Sequence, residues 1–502
     1  MGPRVAASLG QLVAAVAMSL WAGGAEAAEQ GPLWLAVARP DLAEPLKPLA
    51  EKRRNDGFEA RVVTVGIEEA LAQSPRRPDC LLLVGDDEPG KEAAPWYLPA
   101  KRRRFYRWIR YQPPEFASDA AWGDVDEKGG GTIPVGRIPA RTREQVDVVV
   151  RKILAFEARP PAPADLNATL WFGSPQYNAG MDAVATRLGV VMVQANGPPW
   201  LSPWFISGNR SDPLSGWPDS QAANFSRQMR QGGLLHVLMG HARPEAFTSM
   251  RIGWREVNYT ATDAARALGA GPPVAPMVFI TCRAGNFTRA EPCLAEALLF
   301  LPGGPVATIA ATTWSHPLPN YFTSACLLRA LGGGERRLGA LWLRAQRDAR
   351  AARDPIMEMT LRDVEGKLEK EINVEKLRSD QSYMYALLGD PATLLRLPEP
   401  LEASVERTAT GWRWRAKRPS GATRLEVAWR KPFAFTMPMG APPAGEKQAN
   451  EALKAANAPY AFAVQPSPAD GAAWEGTCER PGSLRLVAVG PKSLHVAVLK
   501  LE

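Results

Sequence analysis

The chain has 502 residues, 46% of them hydrophobic and 22% charged, which excludes a mostly disordered protein and fits two to four domains at about 150 residues each. Its 43 glycines and 46 prolines follow no period, which excludes collagen. The net charge of +8 is mild for this length, its arginines are dispersed, and no nucleic-acid motif accompanies them.

In chain order, Arg4 precedes an apolar run from Val5 to Trp21, and Ala25-Glu26-Ala27 is a small-x-small cleavage site. Residues 1–27 read as a secretory signal peptide, predicting export to the periplasm or exterior of a bacterium. Gly10 and Gln11 interrupt the run, and no other stretch reaches about 18 apolar residues, so no permanent membrane anchor is expected. The five cysteines (Cys80, Cys282, Cys293, Cys326 and Cys478) are odd in number, so at least one is unpaired within the chain.

Residues 33–39, 59–65 and 80–85 read as strands, with helices predicted over 42–56 and 142–157. Alternating strands and helices argue for a parallel sheet flanked by helices. Pro160 to Pro163 marks a break, after which Ala168 opens a second series. Residues 197–224, rich in Gly, Pro, Ser, Asn and Trp, read as one long loop. The apolar runs Leu234–Met239, Met277–Thr281 and Val306–Ala310 read as buried parallel strands, and 341–378 as charged helix. From about residue 400, alternating segments such as Trp412-Arg-Trp-Arg predict a separate all-β sandwich. The expected divisions are 31–160 and 161–398 for two α/β subdomains, and 399–502 for the sandwich.

Ligands of open parallel sheets gather beyond the carboxyl ends of strands. Two of the predicted strands end in His241 and Cys282. If they are neighbours, a thiol and an imidazole share one crevice, which suits covalent catalysis. By spacing alone the same pair fits a core thiol and a satisfied loop histidine. His236 reads as packed within its strand, His316 as a lesser rival to His241, and His495 as part of the β region. Cys80 and Cys326 read as core thiols.

The local words narrow the choice. Ile280-Thr-Cys-Arg-Ala-Gly-Asn-Phe287, Pro292-Cys293-Leu-Ala-Glu-Ala-Leu298 and Val306-Ala-Thr-Ile-Ala-Ala-Thr312, together with Gly240-His241, resemble the core of the gingipain-like cysteine peptidases, the C25 family. Upstream, Leu82–Asp86, Ser118-Asp119 with Trp122-Gly123, Val135-Gly-Arg137, and Lys152 with Phe156-Glu157 follow that family in order, and Leu388-Gly-Asp-Pro391 resembles its closing word. The resemblance covers about 33–397. It implies a caspase-like α/β fold, with an immunoglobulin-like sandwich after it. It implies Cys282 as nucleophile and His241 as general acid/base, with the backbone N–H groups of Cys282 and Ala242 as the oxyanion hole. Cys293 matches a family position that is not catalytic.

Two departures stand out. The family usually has Gly where this chain has Ala242, which would cost roughly 1 kcal/mol or more if the position required positive φ. No long propeptide is expected between the predicted cleavage site and the predicted fold. Members that cut after Arg or Lys use an acidic S1 pocket. Asp182 is the only carboxylate in residues 173–182, and it reads either as a substrate-binding group or as part of the following helix. Trp314 reads as a pocket wall or as packing. Asp86, Asp119, Asp124 and Asp126 form a carboxylate-rich stretch that suits structural calcium or a solvated acidic loop; no other cofactor is expected. The expected function is an exported cysteine endopeptidase acting on protein or peptide substrates. The rivals are a surface-protein transpeptidase using the same dyad, and a non-catalytic binding module.

Overall fold

A computed structural model of the chain describes residues 31–108, 112–124, 131–176, 179–269, 271–359, 373–432, 443–466 and 473–502. The N-terminal part contributes β1 (Leu33–Ala38), β2 (Glu59–Val63), β3 (Cys80–Val84), the hairpin β4 (Lys101–Arg104) and β5 (Glu115–Ser118), and β6 (Val135–Ile138). The next part contributes β7 (Asn167–Phe172), β8 (Ser202–Ser207), β9 (Leu235–Met239), β10 (His241–Arg243), β11 (Ala246–Ile252), β12 (Arg255–Thr260), β13 (Met277–Ile280), β14 (Thr308–Ala311) and β15 (Tyr385–Leu388).

Ten of these strands form one sheet in the order β2-β1-β3-β6-β15-β14-β13-β9-β7-β8. The two predicted α/β series therefore share a sheet. The pairings within each series are parallel; β15 runs antiparallel to β14 and parallel to β6, so the halves run in opposite directions with β15 at the seam. Alternate residues serve two cores. Leu170, Val237, Val278 and Ile309 enter one, while Trp171, Leu238, Phe279 and Ala310 enter the other. A sheet covered by helices on both faces needs such doubly apolar strands.

The seam is held by charges. Asp390, just past β15, accepts hydrogen bonds from Trp34 Nε1 (3.0 Å) and Arg53 Nε (2.8 Å). Arg53 also donates twice to Glu157 at 2.9 Å, and Glu157 accepts the N–H of Leu394 at 2.9 Å. Arg53 and Asp390 are fully buried. The closing word and Phe156-Glu157 thus act as a structural clasp, whose loss on one side would strand a buried charge. Lys152 works similarly, donating to the carbonyls of Leu301 (3.1 Å) and Pro305 (2.7 Å) just past the helix Leu294–Phe300. Burial pushes its ammonium down to about 7.

Two expectations change, and one element is new. Residues 197–224 are not one loop: β8 pairs with β7 over six residues, and a helix begins at Gln221. Pro203 obscures the strand in the sequence, but β8 is an edge, where a missing N–H is tolerated. A three-stranded antiparallel sheet, β10-β11-β12, also follows the Gly-His word.

The second change concerns the C-terminal region, which is not all β. It holds β16 (Glu399–Pro400), β17 (Ala403–Thr408), β18 (Gly411–Lys417), β19 (Arg424–Arg430), β20 (Ala463–Gln465), β21 (Ala473–Cys478), β22 (Gly482–Val489) and β23 (Leu494–Leu501). Five form the sheet β16-β23-β22-β19-β20 and three form β17-β18-β21. Trp414 and Trp474 of the second pack with Leu425 and Leu486 of the first. Between β19 and β20 lies a helix, Glu446–Asn457, built of strong helix formers, with Ala449, Leu453 and Asn457 buried at four-residue spacing. Its last residue pairs with the edge strand: Asn457 Oδ1 accepts the N–H of Phe205 (2.7 Å) and its Nδ2 donates to the Phe205 carbonyl (2.9 Å). The side-chain amide stands in for a neighbouring strand.

Candidate active site

The carboxyl ends of four adjacent strands are level. Phe172 of β7 pairs with Met239 of β9, Met239 with Ile280 of β13, and Phe279 with Ala310 of β14. His241 and Cys282 each lie two residues beyond the matched pair Met239–Ile280. The chain segments leading to Asp182, His241, Cys282 and Trp314 therefore leave one edge of the sheet.

Gly240 lies at φ 140°, and a Cβ there would sit 2.9 Å from the Gly173 carbonyl oxygen. The residue before His241 must therefore be glycine. Ala242, by contrast, lies inside β10 and is not among the positive-φ residues. The strain considered for Ala242 does not arise. β11 and its neighbours fix this segment. Trp171 Nε1 donates to Ser249 Oγ (2.9 Å), which donates to Gln221 Oε1 (2.6 Å), and the Ser174 N–H donates to the Ser249 carbonyl (2.6 Å).

His241 Nε2 is hydrogen-bonded to Asp182 Oδ1 at 2.9 Å. An ionised carboxylate only accepts, so a charged Asp182 would take its hydrogen bond from Nε2–H and leave Nδ1 as the accepting nitrogen. The Asp182 side chain is 4% exposed and that of His241 37% exposed. Asp182 sits in the first turn of the helix Ala179–Asn196, and the hydroxyl of Ser174 donates to its carbonyl at 2.6 Å. Sequence alone offers Asp182 as a substrate-binding carboxylate; its geometry is that of a histidine-orienting group. The sequence holds a signal for this pairing, because a histidine that is to act as acid and base calls for an orienting partner and Asp182 is the one carboxylate in residues 173–182.

Cys282 is half-buried. The Ser315 N–H donates to its Sγ at 3.4 Å, and Sγ lies 3.5 Å from the Ser315 carbonyl oxygen. Behind it runs a buried polar network. Asn320 Nδ2 donates to Ser315 Oγ (2.9 Å), while Asn320 Oδ1 accepts from Tyr385 Oη (2.8 Å) and Gln381 Nε2 (2.9 Å). Ser315 carries no motif signal and is not found by sequence reasoning. The turn after Cys282 is laced to the end of β14 by Arg283 N–H to Thr313 (2.9 Å) and Gly285 N–H to Ala311 (2.9 Å). Arg283 has φ 56°, a conformation costing a non-glycine residue roughly 1–2 kcal/mol. Its guanidinium carbon lies 4.2 Å from the centroid of the Trp314 ring.

The remaining candidates fall elsewhere. His316 caps the helix Pro317–Ala330, its Nδ1 accepting the Leu318 N–H, and burial pushes it down to about 4. His236 is fully buried inside β9 and pushed down to about 3 by burial. His495 lies 3.5 Å from Glu399 in the C-terminal region. None of the five cysteines forms a disulfide; burial raises Cys80 and Cys293 well above the usual thiol range. Asp86 is bonded by Arg141 (2.6 Å), Asp119 by Arg137 (2.6 Å), and Asp124 by the Tyr383 hydroxyl. Asp126 lies outside the described residues. Among the described residues no group of three or more His, Cys, Asp or Glu could hold a metal ion.

A family model, "Peptidase family C25", matches residues 27–396. The crystal structure of the Arg-specific cysteine proteinase gingipain R (RgpB) is similar at 15% identity and a TM-score of 0.53, with 95% of this chain and 99% of that one covered. The complex of RgpB pro- and mature domains from Porphyromonas gingivalis gives 13% and 0.52, covering 94% and 100%. At such identities these likenesses speak for the fold. No curated protein sequence matches.

Proposed function

The chain belongs to peptidase family C25, a family of cysteine-type peptidases, and on that premise we propose that it is an exported endopeptidase cleaving peptide bonds through a Cys282 thioester. One observation carries the reading: Cys282 and His241 leave matched ends of adjacent strands, with Asp182 fixing the imidazole.

His241 Nδ1 takes the thiol proton, and the Cys282 thiolate attacks the scissile carbonyl. The N–H groups of Cys282 and Ala242 hold the resulting oxyanion, a contribution worth a few kcal/mol. The imidazolium, stabilised by Asp182, gives its proton to the leaving amine, and the thioester forms. His241 then deprotonates water, which attacks the thioester; the acid product leaves and the thiol is restored. The ordinary backbone of Ala242 supports its part in this. Export rests on Arg4, the apolar run and Ala25-Glu26-Ala27, which lie outside the described residues. Among the described residues no helix is long and apolar enough to cross a membrane.

The test incubates the purified chain and its Cys282→Ala variant with a diverse peptide mixture under reducing conditions, with and without calcium. New termini are read by mass spectrometry. Cleavage by the first alone supports the proposal, and dependence on calcium would give that ion a structural role. Capture of an added amine in place of water would show a transpeptidase. Silence from both, with Cys282 inert to a thiol alkylator, would favour a binding module.

A further inference from the structure

We propose that Arg283 makes this site select an anionic side chain on the substrate, and that the chain prefers Asp or Glu at the residue whose carbonyl is attacked. The proposal rests on the peptidase reading above and names its substrate class.

Position comes first. Arg283 follows the nucleophile directly, and Trp314 directly precedes Ser315, whose N–H donates to Cys282 Sγ. Arg283 is thus one residue from the nucleophile along the chain, and Trp314 one residue from the group that hydrogen-bonds its sulfur.

Charge comes next. The guanidinium lies over the indole, 4.2 Å from its centroid, and the residue is half-buried. No carboxylate among the described residues pairs with it, and its buried Nε has no hydrogen-bond partner there. Other arginines around the N-terminal strand ends are matched to carboxylates: Arg102 to Asp87, Arg137 to Asp119, Arg141 to Asp86. Asp182, the carboxylate that sequence alone offers to the substrate, is engaged by His241. A cation held on an aromatic face beside the nucleophile, without an anion of its own, offers a fork of donors to a substrate carboxylate. It also repels an incoming Arg or Lys, which would compete for the same indole face.

Backbone conformation points the same way. Arg283 keeps φ at 56°, where glycine would be unstrained. A strained non-glycine residue held beside reactive groups is a pattern found at ligand clamps.

The test measures kcat/KM for the full chain on peptides differing only at the residue before the scissile bond: Glu, Asp, Ala, Lys or Arg. Charge-assisted recognition predicts about 10- to 100-fold preference for the acidic peptides over Ala, carried by KM, with Lys and Arg lowest. Arg283→Gln should bring the Glu-to-Ala ratio near one, and Arg283→Glu should invert the Glu-to-Lys order. Cleavage by the wild type without acidic preference, or with a basic one, overturns the proposal and leaves the peptidase reading standing, whatever the variants do. An acidic preference that survives Arg283→Gln overturns the role of Arg283. No cleavage of any peptide, matching Cys282→Ala, overturns both readings.

Discussion

The two halves of the ten-stranded sheet place charged groups at strand ends in opposite ways. In the N-terminal half, Asp87 receives Arg102 at 2.6 and 3.0 Å, Asp119 receives Arg137 at 2.6 and 2.7 Å, and Asp86 receives Arg141 at 2.6 Å. These three carboxylates are buried and their capacity is filled by the protein itself. In the other half, Cys282 and His241 are only half-buried, and Arg283 holds its charge over the Trp314 ring without a carboxylate among the described residues. Both halves use parallel strands and polar loops. What separates the two halves is how far these charges and polar groups are buried and matched to carboxylates.

The sharpest test of that division is on the reactive side. His241→Ala should lower kcat by about 10²–10⁴-fold. Asp182→Asn, which can turn its donor toward Nε2 and upset the tautomer, should cost up to about 10⁴-fold. Because Asp182 acts through the imidazole, its loss should fall on kcat with little change in KM and distort the pH–rate profile. Asp182→Asn should leave the melting temperature little changed, whereas His241→Ala, which takes the imidazole from the buried Asp182 carboxylate, should lower it. A loss below tenfold for both would place the base elsewhere.

On the scaffold side the expected loss is in stability. Arg137 is fully buried, donating also to the carbonyls of Gly85 (2.7 Å) and Leu98 (2.9 Å). Arg137→Met strands Asp119 and should destabilise by about 3–5 kcal/mol, read by denaturant titration. Any protein that still folds should retain its kcat. A variant that is stable but inactive would erase the distinction drawn between the halves.

Strand ends are legible in the sequence because buried parallel strands announce themselves as short apolar runs, and Gly240-His241 and Cys282 sit just past two of them. Their register is not legible, since it depends on neighbours far apart in sequence. Asp182 is visible as a carboxylate, yet its partner is set by where the helix Ala179–Asn196 packs against β7 and β8. β8 is hidden by Pro203 and its flanking turn residues. The helix Glu446–Asn457 carries strong local propensity and is masked by the strands around it. Arg283 and Ser315 have no signal of their own; each matters through what lies across the crevice.

The helix Glu446–Asn457 makes the C-terminal region a support for the sheet edge. Asn457 is fully buried, and its amide serves both backbone groups of Phe205. Tyr460 packs edge-on against the Phe205 ring at 4.8 Å, and Arg485 donates to the Trp200 carbonyl at 3.1 Å. Asn457→Ala should cost about 1–3 kcal/mol by leaving buried backbone groups unpaired. Removing residues from 399 onward should yield an insoluble or unfolded product. A soluble, active truncation would show that the edge needs no cover.

The smallest effect concerns pH and the two buried histidines. Burial pushes His236 down to about 3 and His316 to about 4, against an ordinary value near 6.5. Below pH 6.5 the unfolded chain takes up protons at these positions and the folded chain does not. Each histidine therefore lowers stability as pH falls from about 6.5, by about 1.4 kcal/mol per pH unit, until its folded pKa is reached. His236 has no hydrogen-bond partner at either ring nitrogen among the described residues, so His236→Leu removes one such penalty without breaking a bond. The variant's stability relative to wild type should rise by about that slope between pH 6 and 4.5, measured by urea titration at each pH. A difference that stays constant across that window would mean that the imidazole is hydrated or protonated in the folded chain.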